Sequence, residues 1–356
     1  MKKIILAALA AMLAATSFTA CTKQEPITLE PPFPTAESVN AMIESLDEVN
    51  DVKSAALVSK IIEDYQFLDE KTQSKVKDLQ KVIDSIETAT NFLDKEDMTL
   101  KVMSFNILCS DLTEDRMQRV VEQIRAESPD VVGMQEGTDK LCRKIIKELG
   151  DEYGMLGHGR ESKSDGENNN ILYKKNAFNL IESHTYWITE TPEVYSKHPE
   201  SACYRIFTYQ LLERKSDGQV FLHVNTHFDH IGENARIEQA KILTAWIEKT
   251  FRNQFPVVIT GDFNCSAETT EYQTIIAADY RATTSLGESK RTYQGCIDDW
   301  AGTVIDFIFV NDLFVPVSYK VCPEKMDGEW ISDHNAIVSE VLLLPAYYSI
   351  EIPTEE

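Results

Sequence analysis

Basic residues are scarce in this chain. Over 356 residues, 35 Lys and Arg stand against 58 Asp and Glu, a formal charge of −23. That balance excludes a protein that grips nucleic acid mainly by electrostatics, which needs a basic face. It leaves room for an enzyme that cleaves phosphate esters transiently, with bound metal ions supplying the missing positive charge. Long apolar runs are also lacking. The longest, Ile4–Ala15, is too short to cross a bilayer comfortably. Cysteine is sparse and shows no CxxC pairing, which argues against a structural zinc site. With 14 Gly and 12 Pro there is no collagen-like or low-complexity stretch, and no internal repeat is visible.

What is present divides the chain into segments. Met1-Lys2-Lys3, the apolar run and Thr16-Ser17-Phe18-Thr19-Ala20-Cys21 read as a charged, an apolar and a small-residue region in turn, a signal peptide over 1–20. Phe18-Thr19-Ala20-Cys21 resembles a bacterial lipobox. The resemblance implies lipidation of Cys21 and a lipoprotein anchored in the bacterial cell envelope, facing periplasm or exterior; simple secretion after cleavage near Ala20 is the alternative. Pro26, Pro31, Pro32 and Pro34 make 21–35 a semi-rigid stalk. Residues 36–95 form a different block. Positions 36–94 hold no Gly, Pro or Arg, and Val39, Ile43, Leu46 and Val49 recur at helical spacing. So do Val58, Ile61, Tyr65 and Leu68, and then Val76, Leu79, Ile83, Ile86, Thr90 and Leu93. The spacing predicts a small all-α bundle or spacer without chemistry of its own. Residues 346–356 read as an acidic tail. Of the remaining cysteines, Cys109, Cys142, Cys203, Cys265, Cys296 and Cys322, most are expected as buried free thiols, with one disulfide left open.

From Thr99 to about 345 the pattern changes to short β-rich runs alternating with helices. Strands are predicted over 100–107, 130–135, 170–174, 205–212, 220–227, 257–261, 304–310 and 337–344. Thr113 should cap a helix carrying Met117, Val120, Val121 and Ile124. A long helix fits 233–252, with Ala235, Gln239, Ile242, Leu243, Trp246 and Ile247 on one face. Such an order suggests layered sheets flanked by helices, an α/β fold.

Several of these strands end in polar clusters: Ser104-Phe105-Asn106, Gln135-Glu136, Asn225-Thr226-His227, Gly261-Asp262-Phe263-Asn264, Asp306 inside an apolar run, and Ser332-Asp333-His334. Charges at the ends of apolar strands are costly unless paired or metal-bound. Any one cluster has a plain structural explanation; together they suit metal-assisted hydrolysis of a phosphate ester. A carboxylate with oxygen donors (Glu136, Asn106, Asp333) is a hard site of the kind that Mg²⁺ or Mn²⁺ prefers. A histidine held by a carboxylate can orient or deprotonate water.

The ordered set SFN, QE, NTH, GDFN, IDFIF and SDH resembles the endonuclease/exonuclease/phosphatase superfamily, which includes deoxyribonuclease I. The resemblance spans about residues 99–345. It implies a four-layer α/β/β/α sandwich, here preceded by the helical segment, and a Mg²⁺- or Mn²⁺-dependent phosphoric ester hydrolase. By the same resemblance Glu136 binds the metal with Asn106 beside it, and Asp333 is a further metal-side carboxylate. Asp262 aligns or activates water, Asn264 contacts the phosphate, and His334 serves as phosphoryl stabiliser or base, oriented by Asp306. His227 is a second active-site histidine with Glu167 as its carboxylate partner, and Arg205 contacts phosphate. Which group is the base stays open.

Asp229, His230 and Arg236 are read as structural. Tyr293, Trp300 and Trp330 are read either as a stacking rim or as packing residues. The substrate class implied is a phosphate ester: nucleic acid, nucleotide, sugar phosphate or lipid headgroup, acted on by a monomer tethered to the membrane through Cys21. A sphingomyelinase-like phospholipase, or an inactive surface scaffold, are the competing readings.

Overall fold

The computed structural model describes residues 34–343, except 51, 93–97, 111–112, 162–164, 252–254 and 288–289. The expected signal peptide, the lipidated Cys21, nearly all of the stalk, Leu93 and the acidic tail lie outside the described residues.

The first described elements are helical: α1 (Ala36–Ser45), α2 (Val52–Phe67), the single turn α3 (Glu70–Gln73) and α4 (Leu79–Thr90). Thr35 opens α1 with a reciprocal cap to Ser38, satisfying backbone N–H groups that would otherwise be orphaned. Val39, Ile43, Leu46, Val58 and Ile61 bury themselves in one apolar cluster, as their spacing predicts. On α4 the buried positions are Val82 and Ala89, not Ile83. Residues 79, 82, 86 and 89 keep a helical period as well as the predicted stripe does, and the helix begins only at Leu79. Ser59 of α2 accepts a buried hydrogen bond from Gln219 at 3.0 Å.

The rest is a four-layer sandwich. Among the described residues, fourteen strands run in chain order. β1 is Thr99–Asn106, β2 Val131–Thr138, β3 Tyr153–Leu156, β4 Glu167–Lys174 and β5 Phe178–Trp187. β6 is Ile206–Arg214, β7 Val220–His227, β8 Val257–Asp262, β9 Arg281–Ala282 and β10 Asp306–Val310. β11 is Phe314–Val321, β12 Lys325–Met326, β13 Glu329–Trp330 and β14 Ile337–Leu343. One six-stranded sheet has the order β11-β14-β1-β2-β4-β3 and the other β5-β6-β7-β8-β10-β9. Helices α5 (Glu114–Glu127) and α6 (Asp139–Leu149) cover the first sheet. Helices α7 (Glu233–Phe251) and α8 (Thr270–Ala277) cover the second. Thr113 caps α5 as predicted, and Met117, Val120, Val121 and Ile124 are its buried face. The six cysteines named above are all free.

Strand alternation decides what each layer receives. Met103 and Phe105 of β1 pack under the helices, whereas Leu100 and Val102 meet the opposite sheet. Likewise Val257 and Ile259 of β8, and Phe307 and Phe309 of β10, point to helices, while Val258, Ile308 and Val310 face inward. Because both faces are buried, these central strands are mostly apolar, with Lys101 of β1 the exception at the far end. Along the inward-facing rows, however, the chemistry changes. On β1 it passes from Leu100 and Val102 to Ser104 and Asn106; on β7 from Phe221 to His223, Asn225 and His227; on β8 from Val258 to Thr260 and Asp262. The space between the sheets is therefore oily at one end and polar at the other.

The polar half begins with a buried network across the sheets. Gln135 Nε2 donates to Asn225 Oδ1 (2.7 Å) and to Ser104 Oγ (3.1 Å). Asn225 Nδ2 donates to the carbonyls of Met134 and Asn170, both at 3.0 Å. Thr260 Oγ1 donates to Asn225 Oδ1 at 3.1 Å. Gly133 makes this approach possible, since a Cβ there would lie 1.9 Å from Thr260 Oγ1. Each such bond is worth only about 1 kcal/mol net, but an unmet buried partner costs about 1–3 kcal/mol, so the network fixes how the two sheets meet.

His223 lies in this layer, fully buried and 2.9 Å from Thr260 Oγ1. Burial pushes its imidazole down from 6.5 to about 3. The unfolded chain takes up a proton below pH 6.5 and the folded chain does not until about pH 3. This residue's contribution is therefore intact above 6.5, declines as pH falls through that window, and levels off below it. Chemical unfolding at a series of pH values should show a shallower acid loss for His223→Asn than for wild type between pH 6.5 and pH 3; equal slopes would mean the imidazole is protonated in the folded protein.

Candidate active site

The topology brings the predicted residues to one edge. Each sheet has a central parallel pair, β1 with β2 and β7 with β8, bridged by a helix. Their carboxyl ends carry Asn106, Glu136, His227 and Asp262. The neighbouring antiparallel strands start at that same edge. β4 begins with Glu167 and β10 with Asp306, which pairs directly with Asp262. Arg205 precedes β6 and His334 precedes β14. One end of the sandwich thus collects groups from eight strands.

At the centre is Asn106. Its Nδ2 donates to Glu136 Oε1 at 2.9 Å and to Asp262 Oδ2 at 3.0 Å, and lies 3.5 Å from His334 Nε2. The amide oxygen accepts from the Leu108 backbone at 3.1 Å. Glu136 is placed by a register shift in β2 between Met134 and Gly137 and holds φ +60°. A bulge re-aims a side chain in just this way. The left-handed backbone costs about 1–3 kcal/mol at a residue with a Cβ. Its second oxygen accepts the Cys109 backbone N–H at 3.1 Å. Burial works against the charge of Glu136, but the Asn106 and Cys109 hydrogen bonds outweigh it and hold the carboxyl below the usual range.

Two acid–imidazole groups flank Asn106. In the first, Asp306 Oδ2 is 2.9 Å from His334 Nδ1, and Asp262 Oδ2 is 3.6 Å from His334 Nε2. Burial opposes a charge on His334, yet Asp306 and Asp262 overcome it and raise the imidazole to about 10. Burial and the neighbouring Asp306 push Asp262 upward, while His334 and Asn106 pull it back. In the second, Glu136, Glu167 and His227 place one ligand atom each within 4.8 Å of one another. His227 Nδ1 lies 3.9 Å from Glu167 Oε2 and makes no hydrogen bond, and its Nε2 is 3.5 Å from Asp262. Burial, with Arg205 and Arg160 nearby, holds His227 well below its ordinary value and thus neutral.

The donor set of the second group, two carboxylates and a neutral imidazole with an unbonded Nδ1, fits a divalent cation. Asp333 supplies none of the clustered ligand atoms of either group, although it lies in the field of His334 and Glu136. Its Oδ1 is 3.4 Å from Ser332 Oγ, and burial with Glu136 in its field raises its carboxyl. Asn264, at φ +50°, donates its backbone N–H to Asp262 Oδ1 (2.9 Å) and its side-chain amide to Phe228 O (3.0 Å).

Arg205 is 5% exposed, with Nη2 3.0 Å from His230 Nδ1. Its Nε lies 3.6 Å from Asp229 but makes no hydrogen bond, and neither does its Nη1. Asp229 is a loop clasp. It accepts from Ser201 Oγ and the backbones of Ala202, Cys203, Ile231 and Gly232, at 2.7–3.2 Å. Arg236 binds buried Glu271 at 2.6 Å. The ring of Tyr293 lies 4.9 Å from that of His334, with Trp300 edge-on beyond it, whereas Trp330 carries Lys325 over its ring at 4.2 Å.

Two participants carry no signal in the sequence. Arg160 pairs with Glu167 at 2.6 Å, yet its Gly-His-Gly-Arg-Glu context reads as an ordinary surface loop. Cys109 acts through its backbone N–H, which no side-chain pattern reveals.

A sequence profile for the Endonuclease/Exonuclease/phosphatase family matches residues 103–334. The chain belongs to this family, whose members are phosphoesterases dependent on divalent metal. Among solved structures it is similar to an endonuclease/exonuclease/phosphatase from Bacteroides vulgatus, at 29% identity and TM-score 0.65, covering 69% of this chain and 99% of that one. It is also similar to the mannosyl-6-phosphatase of Bacteroides thetaiotaomicron (24%, TM-score 0.64, covering 68% and 99%). A third similar structure is D. rerio TDP2 complexed with a single-strand DNA product (19%, TM-score 0.57, covering 68% and 98%). No curated protein matches the chain.

Proposed function

We propose that this protein is a hydrolase of small phosphate esters, a phosphatase in preference to a nuclease, working with Mg²⁺ or Mn²⁺. The observation that carries the reading is the meeting of Glu136, Asp262 and His334 on one amide, that of Asn106. Glu136, oriented by Asn106, would hold the cation with Glu167 and His227; when bound it offsets phosphate charge and stabilises the leaving oxygen.

The chain's own groups supply the rest. Asp262, aligned by Asn106 and the Asn264 N–H, takes a proton from the attacking water. His334, fixed through Nδ1 by Asp306, presents Nε2 to the phosphoryl oxygens as charge develops on them. Arg205 and Asn264 bind the phosphate. The new P–O bond forms from water, the ester bond breaks, and the alcohol leaves with a proton from solvent.

Preference for a small ester follows from the rim. The loops at this edge expose Glu161, Asp165, Glu190, Glu193, Glu200, Asp298, Asp299, Asp327 and Glu329. A long polyanion would meet like charge at each. The family neighbour acting as a mannosyl-6-phosphatase agrees with that preference. Residues 1–21 support placing the enzyme in the cell envelope, tethered through Cys21. The test is a substrate panel with Mg²⁺ or Mn²⁺: sugar phosphates, inositol phosphates, nucleotides, plasmid, RNA and sphingomyelin. Turnover of small monoesters well above that of plasmid, RNA and sphingomyelin is expected; faster cleavage of plasmid would overturn the preference.

A further inference from the structure

The segment joining β5 to β6 carries chemistry that phosphate hydrolysis alone does not require. Tyr195 stacks on Tyr204, with ring centroids 4.3 Å apart and planes 11° apart, and Trp187 meets Tyr195 edge-on at 5.4 Å. Aromatic groups this well packed are ordinarily covered, yet Tyr195 is 48% exposed and Val194 beside it 58%. The platform is held still. Trp187 Nε1 donates to the Arg160 carbonyl at 2.8 Å, the hydroxyls of Thr189 and Ser196 are 2.7 Å apart, and Asp229 clasps residues 201–203.

Arg160 joins the platform to the catalytic cluster, since its guanidinium bonds Glu167 while its carbonyl holds Trp187. Tyr204 is followed directly by Arg205. Both arginines keep buried N–H groups that make no hydrogen bond: Nε of Arg160, and Nε and Nη1 of Arg205. Buried donors without acceptors are unfavourable, and an anionic oxygen is the partner that suits them. An exposed carboxylate borders the platform. Glu161 Oε2 lies 3.5 Å from Tyr195 Oη, and Glu190 and Glu193 precede it on the same loop. Carboxylates accept hydrogen bonds from hydroxyl groups and repel further phosphates.

We infer that Tyr195 is a leaving-group platform on which the hydroxylated ring of a phosphorylated hexose stacks, its hydroxyls toward Glu161 and its phosphate toward Arg205. The inference rests on the phosphatase reading above and adds the leaving-group subsite to it. The test compares kcat/KM for mannose 6-phosphate with that for the ringless glycerol 3-phosphate. Tyr195→Ala should lower the ratio of the two by about three- to tenfold, mainly through KM, the scale of one aromatic stacking contact. Tyr195→Phe, which keeps the ring, should hold the ratio near that of wild type.

An unchanged ratio in Tyr195→Ala, with both esters turned over, would overturn the platform and leave the phosphatase reading standing. A greater fall for adenosine monophosphate than for the hexose ester would overturn the sugar assignment. Turnover of neither ester by wild type would sink the phosphatase reading. Titration calorimetry with mannose 6-phosphate would then decide the platform separately: binding lost in Tyr195→Ala upholds it, and equal or absent binding refutes it.

Discussion

His334→Gln is expected to lower kcat/KM by at least about 10²-fold while leaving the fold intact, the usual scale for removing one preorganised donor. The expectation comes from how completely the imidazole is committed. Nδ1 is held at 2.9 Å by Asp306, Nε2 faces Asn106 and Asp262, and two carboxylates keep the ring protonated against the cost of burial. A neutral amide of similar size cannot stabilise a phosphoryl oxygen as an imidazolium does. Asp306→Asn should cost less, since the ring remains and only its orientation and charge weaken. Steady-state kinetics on a small phosphate monoester, with circular dichroism to establish folding, would check both. If His334→Gln retained wild-type turnover, the imidazole would be a structural group only.

Glu136→Gln is expected to be at least as damaging. The residue is held in a left-handed backbone by a bulge and fixed by Asn106 and the Cys109 N–H, an arrangement whose cost is justified by aiming one carboxylate into the polar end of the sandwich. The substitution keeps the shape and removes the charge. Activity should fall by about 10²-fold or more, and excess Mn²⁺ should restore part of it if the loss is one of affinity.

The central strands are legible in the sequence for a physical reason. Burial on both faces makes β2, β7, β8 and β10 largely apolar away from the site, as it does β1 apart from Lys101, and polar residues on the inward rows interrupt them toward the site. The same interruption makes Asn106, Asp262 and Asp306 conspicuous. The edge strands of the two six-stranded sheets, β3, β5, β9 and β11, carry no expectation from sequence. An edge strand is half solvated, as in β11, where exposed Val315 and Val317 alternate with partly covered neighbours, and β9 is only two residues long. Helix α8, at 8 residues, gives little periodicity to read, whereas the 11-residue α6 carries a plain apolar face in Leu141, Cys142, Ile145 and Leu149 from which a helix could have been predicted.

Convergence of the site is written in strand direction rather than in spacing. Glu167 reaches Glu136 and His227 only because β4 runs antiparallel to β2. Arg160 is set by Glu167 and Trp187, and the Tyr195–Tyr204 stack lies in a loop that Asp229 clasps. Short-range pattern has no access to that packing. Gln135 and Asn225 are visible as motif members, but their hydrogen bond across the two sheets exists only in the folded protein.

The central claim is that these groups form one divalent-cation site with Glu136 at its heart. Equilibrium binding of Mn²⁺ to metal-free protein, followed by calorimetry on wild type and Glu136→Gln, addresses it without reliance on any substrate. Saturable binding by wild type, weakened about tenfold or more in the variant, is the predicted result. Equal affinity in the two proteins, or no binding by wild type, would contradict it.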